Sequence, residues 1–122
     1  MGSFQGKTYD TKEEAEEFIK EAISTHTVVI FSKVTCPYCI QAKRALNSNG
    51  IKYHVVSLTG RPDQGVIQDV LLNMTGARTV PRVFIHQKCI GGGNETSALN
   101  KQNKLKELVS EKPENGQLDL PA

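Results

Sequence analysis

The feature that most constrains this chain is the junction between an apolar run, TVVIFS at residues 27–32, and the stretch KVTCPYCIQAKRAL that follows it at residues 33–46. The run has no polar alternation, which predicts a strand covered on both faces. Beyond the two cysteines, Cys39, Ala42 and Leu46 recur on one helical face until Asn49 and Gly50 end the pattern. A buried strand passing directly into an amphipathic helix predicts an α/β domain, with both cysteines at the turn.

The segments on either side continue the alternation of helix and strand. Residues 11–24, TKEEAEEFIKEAIS, predict an amphipathic helix whose Thr11 and Glu14 form a capping box. A second strand is predicted at residues 53–58, YHVVSL, followed by a turn over residues 59–64, TGRPDQ. The next helix is indicated by an apolar stripe formed by Val66, Ile67, Val70, Leu71 and Met74.

The pattern changes after residues 75–81, TGARTVP. RVFIH at residues 82–86 and CIGGG at residues 89–93 are separated by the two residues QK, which predicts a tight antiparallel hairpin. Asn94 is a plausible N-cap for a final helix that runs irregularly through Leu99, Leu105, Leu108 and Val109. The expected architecture is a thioredoxin-like α/β fold: a four-stranded mixed sheet, two parallel strands plus the hairpin, flanked by helices on both faces.

Size and charge exclude several classes of protein. The 122 residues suit one domain over residues 1–110, and the composition of SEKPENGQLDLPA predicts a flexible tail over residues 111–122. A net charge of +2, from 15 basic and 13 acidic residues, gives no reason to expect a nucleic-acid or membrane partner. We expect a monomer. The N-terminus lacks the apolar core of a secretory signal, and three cysteines do not build a secreted disulfide framework, so we expect a cytoplasmic location.

The C-x-x-C pair in TCPYC is suited to redox chemistry, which needs one sulfur as a thiolate. Cys36 is predicted at a helix N-terminus, where unpaired N–H groups favour negative charge, and Pro37 suits the first helical position. Lys33 lies three residues earlier and can bring a cation close. Since Cys39 falls on the inward helical face, Cys36 is the expected attacking sulfur and Cys39 the resolving one.

A metal site is the main alternative role for these cysteines. A zinc site would need two more Cys or His ligands at suitable spacing, and the remaining candidates form no second pair: Cys89, His26, His54 and His86. We therefore expect no metal at the site. Cys89 itself is most simply a half-buried strand residue, with a regulatory thiol as the alternative.

Three motifs together, CPYC, TGARTVPRVFI and CIGGG, resemble a dithiol glutaredoxin of the CPYC type, and the similarity runs from about Ala15 to Val109. The resemblance implies a glutathione-dependent enzyme that uses glutathione as co-substrate and has no tightly bound cofactor. It also implies that Pro81 is a cis proline facing the dithiol. Beside it, Val80 would pair with glutathione as an added strand does, with Thr79 and Arg78 alongside.

The same resemblance assigns both ends of glutathione. Lys33, Gln68 and Arg78 would hold the glycine-end carboxylate, and Tyr38 would line the groove. The γ-glutamyl end would lie at the start of the last helix, near Gly92, Gly93, Asn94 and Glu95. Family members often carry Asp at the position of Glu95 and Cys or another small residue at Gly93. Without the resemblance, Gln68 would be a solvated helix residue and Arg78 a loop charge.

The expected function is a glutathione-dependent reductase of glutathione mixed disulfides and protein disulfides. One alternative is a dimer that binds an iron–sulfur cluster with glutathione, as some relatives do, although the family's cluster binders generally have a smaller residue where this chain has Pro37. The second alternative is a thioredoxin-type protein disulfide reductase, which a separate reductase enzyme, and not glutathione, returns to the reduced state.

Overall fold

A computed structural model describes residues 6–111, which fold into a four-stranded sheet with five helices. The strands are β1 (Val28–Ser32), β2 (His54–Ser57), β3 (Arg82–Ile85) and β4 (Lys88–Gly91). The helices are α1 (Lys12–Thr25), α2 (Pro37–Ser48), α3 (Gln64–Thr75), α4 (Gly93–Lys101) and α5 (Leu105–Ser110). The predicted tail begins at residue 111, and residues 112–122 lie outside the described chain, so the division into domain and tail stays a prediction.

The sheet has the predicted mixed topology, with the strand order β2-β1-β3-β4. β1 pairs in parallel with β2 and antiparallel with β3, and β3 pairs antiparallel with β4. All five residues of β1 are buried, as its unbroken apolar run predicted, because it has a strand on each side and helices above and below. The thioredoxin-like fold is confirmed.

Two helical layers cover the sheet and divide the core. Val29 and Phe31 of β1 pack on the side of α1 and α3, whereas Val28 and Ile30 pack on the side of α2 and α5. This division follows from the alternation of side chains along a strand. The predicted capping box of α1 is present, since Thr11 Oγ1 accepts from the N–H of Glu14. Across residues 6–111, every helix is too short or too polar to span a bilayer.

The structure corrects the sequence prediction at the C-terminal end. Asn94 is not an N-cap: it lies inside α4, which begins at Gly93 and has Gly92 as its N-cap. The predicted single helix is divided, because the chain turns over residues 102–104, where Asn103 has a φ of 59°. The hairpin turn also lies one residue earlier than predicted. His86 and Gln87 both have positive φ, 50° and 70°, as a two-residue hairpin turn requires.

Candidate functional site

The sheet topology brings three separate chain segments to one end of the molecule. The carboxyl end of β1 leads into α2, and Phe31 there is paired with Arg82, the first residue of the antiparallel β3. β4 runs antiparallel to β3, so its last residue, Gly91, pairs with Val83 at the same end. Three parts of the chain are therefore neighbours in space: the C-x-x-C, the TVP segment (residues 79–81) and the glycine turn (residues 91–93).

Cys36 is the N-cap of α2, and Pro37 occupies the first helical turn, as predicted. The backbone N–H of Cys39 donates to Cys36 Sγ over 3.3 Å, so the sulfur takes the place that a capping oxygen has in most helices. Cys36 is partly exposed, whereas Cys39 is 1% exposed, and both are free thiols. The difference in exposure supports the predicted order of attack.

Burial also changes the acidity of Cys39. Burial raises the pKa of Cys39 from an ordinary 9.0 to about 11, and the Cys36 side chain beside it acts in the same direction. A backbone hydrogen bond with Lys33 and the charge of Lys43 oppose this rise without cancelling it. Cys39 consequently keeps its proton at neutral pH and is a poor nucleophile until Cys36 has reacted.

The TVP segment faces Cys36. The Val80–Pro81 peptide bond is cis, as the family resemblance implied, and the Cys36 thiol donates to the Val80 carbonyl over 3.6 Å. Thr79 is exposed and Val80 half-buried, and both precede the first residue of β3. The backbone of these two residues thus lies beside the dithiol and outside the paired part of the sheet.

Helix α3 contacts Arg78, the residue that directly precedes the TVP segment. Gln68 is 8% exposed, and its Nε2 donates to the Arg78 carbonyl over 2.9 Å. The expectation of a solvated Gln68, made without the family resemblance, is wrong, because the side chain turns inward to satisfy a loop carbonyl. Arg78 is exposed, and its guanidinium lies 3.2 Å from the Asp69 carboxylate. Nothing in the sequence pattern indicates Asp69 as part of the site.

Two other residues predicted for the groove lie close to the dithiol along the chain. Lys33 is half-buried between β1 and α2, and among the residues described its side chain makes no ion pair. Tyr38, on the first turn of α2, is 55% exposed. Both side chains are therefore accessible to a ligand that approaches Cys36.

The glycine turn is closed by Glu95. Its Oε1 accepts from the Gly92 N–H over 2.7 Å at the start of α4. This is the glutamate half of a capping box, because glycine has no side chain to supply the other half. Backbone hydrogen bonds, first that of Gly92, hold the pKa of Glu95 below its usual value of 4.5, and the nearby Arg82 charge lowers it further. Glu95 therefore already serves as a helix cap in the protein alone, a role that the sequence analysis did not foresee.

Helices α2 and α4 touch at Gly93. A methyl group at this position would lie 2.6 Å from the Tyr38 carbonyl oxygen and 2.9 Å from Gln41 Oε1. Next to it, Asn94 Oδ1 accepts a hydrogen bond from Gln41 Nε2 over 3.4 Å. Gly93 and Asn94 thus fix the glycine turn against the helix that carries Cys36, and Gln41 is a second residue missing from the sequence prediction.

Arg82 connects the TVP segment with the glycine turn. Its Nε donates to the Pro81 carbonyl over 3.0 Å. Its Nη2 lies beside Gly92, since a Cβ added to that glycine would be 3.0 Å from it. The sequence placed Arg82 only as the first residue of a strand. Within residues 6–111, no group of three or more His, Cys, Asp or Glu side chains is arranged to hold a metal ion.

Comparison with known proteins identifies relatives of this chain. A family model described as Glutaredoxin matches residues 28–90. A glutaredoxin from Ricinus communis is 47% identical over 92 residues, which are 75% of this chain and 90% of that protein.

Solved structures give the same result. Oxidized glutaredoxin 2 from Chlamydomonas reinhardtii has a TM-score of 0.79 at 44% identity, over 82% of this chain and 94% of that one. A buckwheat glutaredoxin-glutathione complex also has a TM-score of 0.79, at 32% identity, over 85% of this chain and 94% of that one.

Proposed function

The chain belongs to the glutaredoxin family of thiol-disulfide oxidoreductases, and from this we propose that it reduces glutathione mixed disulfides and protein disulfides with glutathione as the electron donor. The observation that carries the proposal is the position of Cys36 Sγ, at the start of α2 and 3.6 Å from the Val80 carbonyl beside cis-Pro81. The buried, protonated Cys39 behind it supplies the second thiol.

The reaction begins with attack by the Cys36 thiolate on the glutathionyl sulfur of a mixed disulfide. A bond forms between Cys36 Sγ and that sulfur, the substrate disulfide breaks, and the target protein leaves as a thiolate that takes up a proton. A glutathione thiolate then attacks the glutathionyl sulfur and frees Cys36. Two glutathione molecules, the one in the mixed disulfide and the incoming one, leave as glutathione disulfide, and the substrate gains a thiol.

Protein disulfides require Cys39. Attack by Cys36 leaves one substrate sulfur bound to the enzyme, and Cys39, after losing its proton, displaces it and forms a Cys36–Cys39 disulfide. Two glutathione molecules then reduce this disulfide. The hydrogen bond from the Cys39 N–H to Cys36 Sγ supports this role, because it keeps the two residues adjacent.

We place glutathione along the groove between the three segments. Lys33, Gln68 and Arg78 would hold its glycine-end carboxylate, and Thr79 and Val80 would pair with its backbone beside Pro81. Tyr38 would line the groove. Gly92, Gly93, Asn94 and Glu95 would receive the γ-glutamyl end. The shared position of these segments at one end of the sheet supports this arrangement. The monomeric state and cytoplasmic location stay predictions.

Serine variants test the function. Cys36→Ser should abolish turnover of a glutathionylated peptide in a glutathione-coupled assay, because the hydroxyl cannot act as the attacking thiolate. Cys39→Ser should retain that activity and lose reduction of a protein disulfide. Cys89→Ser is the matched control, since this half-buried thiol lies on β4 outside the site, and both activities should be unchanged. Turnover by Cys36→Ser would refute the proposal.

A further inference from the structure

Helix α3 holds Arg78 at both its backbone and its side chain. Gln68 Nε2 donates to the Arg78 carbonyl over 2.9 Å, and one residue further along α3 the Asp69 carboxylate lies 3.2 Å from Arg78 Nη2. The same Nη2 is 3.5 Å from the Gly65 carbonyl. The guanidinium that we propose as an anchor for a substrate carboxylate is therefore already bound to a carboxylate of the protein.

The pair lies at the surface. Both side chains are 47% exposed, so water and salt screen their attraction, and the pair can be opened without disturbing the core. Asp69 is the one acidic residue within α3. When its charge is removed, no other carboxylate of α3 can take its place beside Arg78.

We propose that Asp69 is a specificity-determining residue that competes with the glycine-end carboxylate of glutathione for Arg78. This inference rests on the proposed function. An incoming glutathionyl group must share or displace Asp69, so its carboxylate contributes less to binding than it would at an unoccupied guanidinium. Asp69 thereby weakens the binding of substrates that carry this carboxylate and leaves the chemistry at Cys36 unchanged.

Asp69→Asn keeps the size of the side chain and removes its charge. We expect the KM for a glutathionylated peptide to fall about two- to five-fold with kcat unchanged, and this fold-change corresponds to about 0.4–1 kcal/mol, the range of an exposed ion pair. The fall should shrink at high salt. In an Arg78→Ala background, Asp69→Asn should have no effect on KM, because the group for which Asp69 competes is absent.

Two controls separate this effect from a general change of charge. Glu16→Gln removes the acidic member of another exposed pair, with Lys20 on α1, and changes the net charge equally. It should leave KM unchanged. The second control uses a peptide modified with glutathione whose glycine carboxylate is an ethyl ester. Asp69→Asn should not improve its KM, since the ester has no charge to offer Arg78.

The inference is supported if KM falls only for the free carboxylate and only when Arg78 is present. It is overturned if KM is unchanged or rises in Asp69→Asn, which would mean that Asp69 orients Arg78 for binding. An equal fall with the ester or with Glu16→Gln also overturns it. These results leave the proposed function intact, whereas absence of Cys36-dependent turnover in the wild-type protein would overturn both.

Discussion

The backbone N–H of Cys39 donates to Cys36 Sγ over 3.3 Å, so the residue that supplies the resolving thiol also supplies a hydrogen bond to the attacking sulfur. Helix geometry produces this contact, because an N-cap acceptor faces the N–H groups of the second and third helical residues. A C-x-x-C spacing at the start of a helix therefore places one cysteine as the cap and the other as a donor to it.

This relationship predicts how the Cys39 thiol titrates. Burial and the Cys36 side chain raise the pKa of Cys39 to about 11, so its proton is lost only as the pH rises toward that value. In a Cys36→Ser variant the effects of the Cys36 sulfur are removed and burial remains. The pKa of Cys39 should then lie below its wild-type value.

Ultraviolet absorbance of the thiolate measures this titration when Cys89→Ser is included in both proteins, which leaves Cys39 as the single thiol of the Cys36→Ser variant. The background variant with Cys36 intact should show the Cys39 transition at about pH 11. A Cys39 that titrates at the same pH in both proteins would contradict the role given to the Cys36 side chain.

Glu95 should stabilise α4 as a charged cap. Its Oε1 accepts from the Gly92 N–H, and Glu95→Ala removes this bond, which should reduce the free energy of unfolding by about 1 kcal/mol. Because the folded-state pKa lies below 4.5, the charge contributes fully above that pH, and its contribution is lost as the pH falls through the folded-state pKa.

Chemical denaturation of wild type and Glu95→Gln across this range is the measurement. Glutamine retains a hydrogen-bond acceptor and lacks the charge, so the stability difference between the two proteins should shrink in acid. A difference that stays constant with pH would show that the carboxylate charge contributes nothing to the cap.

Much of the fold could be predicted from local pattern. The apolar run of β1 indicated a central strand, and the spacing of Cys39, Ala42 and Leu46 indicated which cysteine is buried; both predictions are confirmed. These predictions succeed because the environment of each residue is determined by its neighbours along the chain. The prediction of the N-cap of α4 failed because Gly92 and Asn94 are both residue types that suit an N-cap. The choice between them depends on Glu95, three residues after Gly92, whose side chain folds back over the turn.

The groove contacts could not be predicted because they join segments distant in sequence. Gln68 has the pattern of a surface residue, and its burial depends on the Arg78 carbonyl, which lies ten residues further along the chain. Asp69 likewise pairs with Arg78 only because the fold brings this loop next to α3. Arg82 similarly meets Gly92 only through the pairing of β3 with β4. Sequence pattern predicted which motifs form the site, and tertiary structure decides what each side chain contacts.

In this chain, an alanine in place of Gly93 should be destabilising, although family members often carry a small side chain at this position. Gly93→Ala places a methyl group 2.6 Å from the Tyr38 carbonyl, a backbone atom that cannot move without moving α2, so α2 and α4 must separate. Overpacking of this kind costs about 1–3 kcal/mol. Thermal unfolding monitored by circular dichroism should show a lower midpoint.

Gly65→Ala is the matched control, because it makes the same substitution within α3, where an added methyl group meets nothing within 4 Å. It should leave stability unchanged or raise it by about 0.4–1 kcal/mol, since alanine favours a helix more than glycine does. Equal stability of the two variants would refute the close approach at Gly93.

The buried ion pair of Arg61 and Asp63 should anchor the chain before α1 to the loop before α3. Asp63 Oδ1 lies 2.8 Å from Arg61 Nε, Asp63 Oδ2 accepts from the Tyr9 N–H over 2.8 Å, and Arg61 Nη2 donates to the Lys7 carbonyl over 3.1 Å. Asp63→Asn removes the charge from a pair that is almost fully buried. Breaking such a pair reduces the free energy of unfolding by about 3–5 kcal/mol.

The pH dependence of this pair gives a second test. Burial alone would raise the pKa of Asp63, but the hydrogen bonds from Arg61 and Tyr9 outweigh it and lower the pKa below 3.8. The carboxylate therefore stabilises the fold above that pH, and the contribution is lost as the pH falls through the folded-state value. Denaturation of Asp63→Asn should show a weaker loss of stability in acid than wild type. Asp10→Asn, an exposed control, should stay within about 0.5 kcal/mol of wild type at neutral pH. If Asp63→Asn matched this control, the pair would not hold the two segments together.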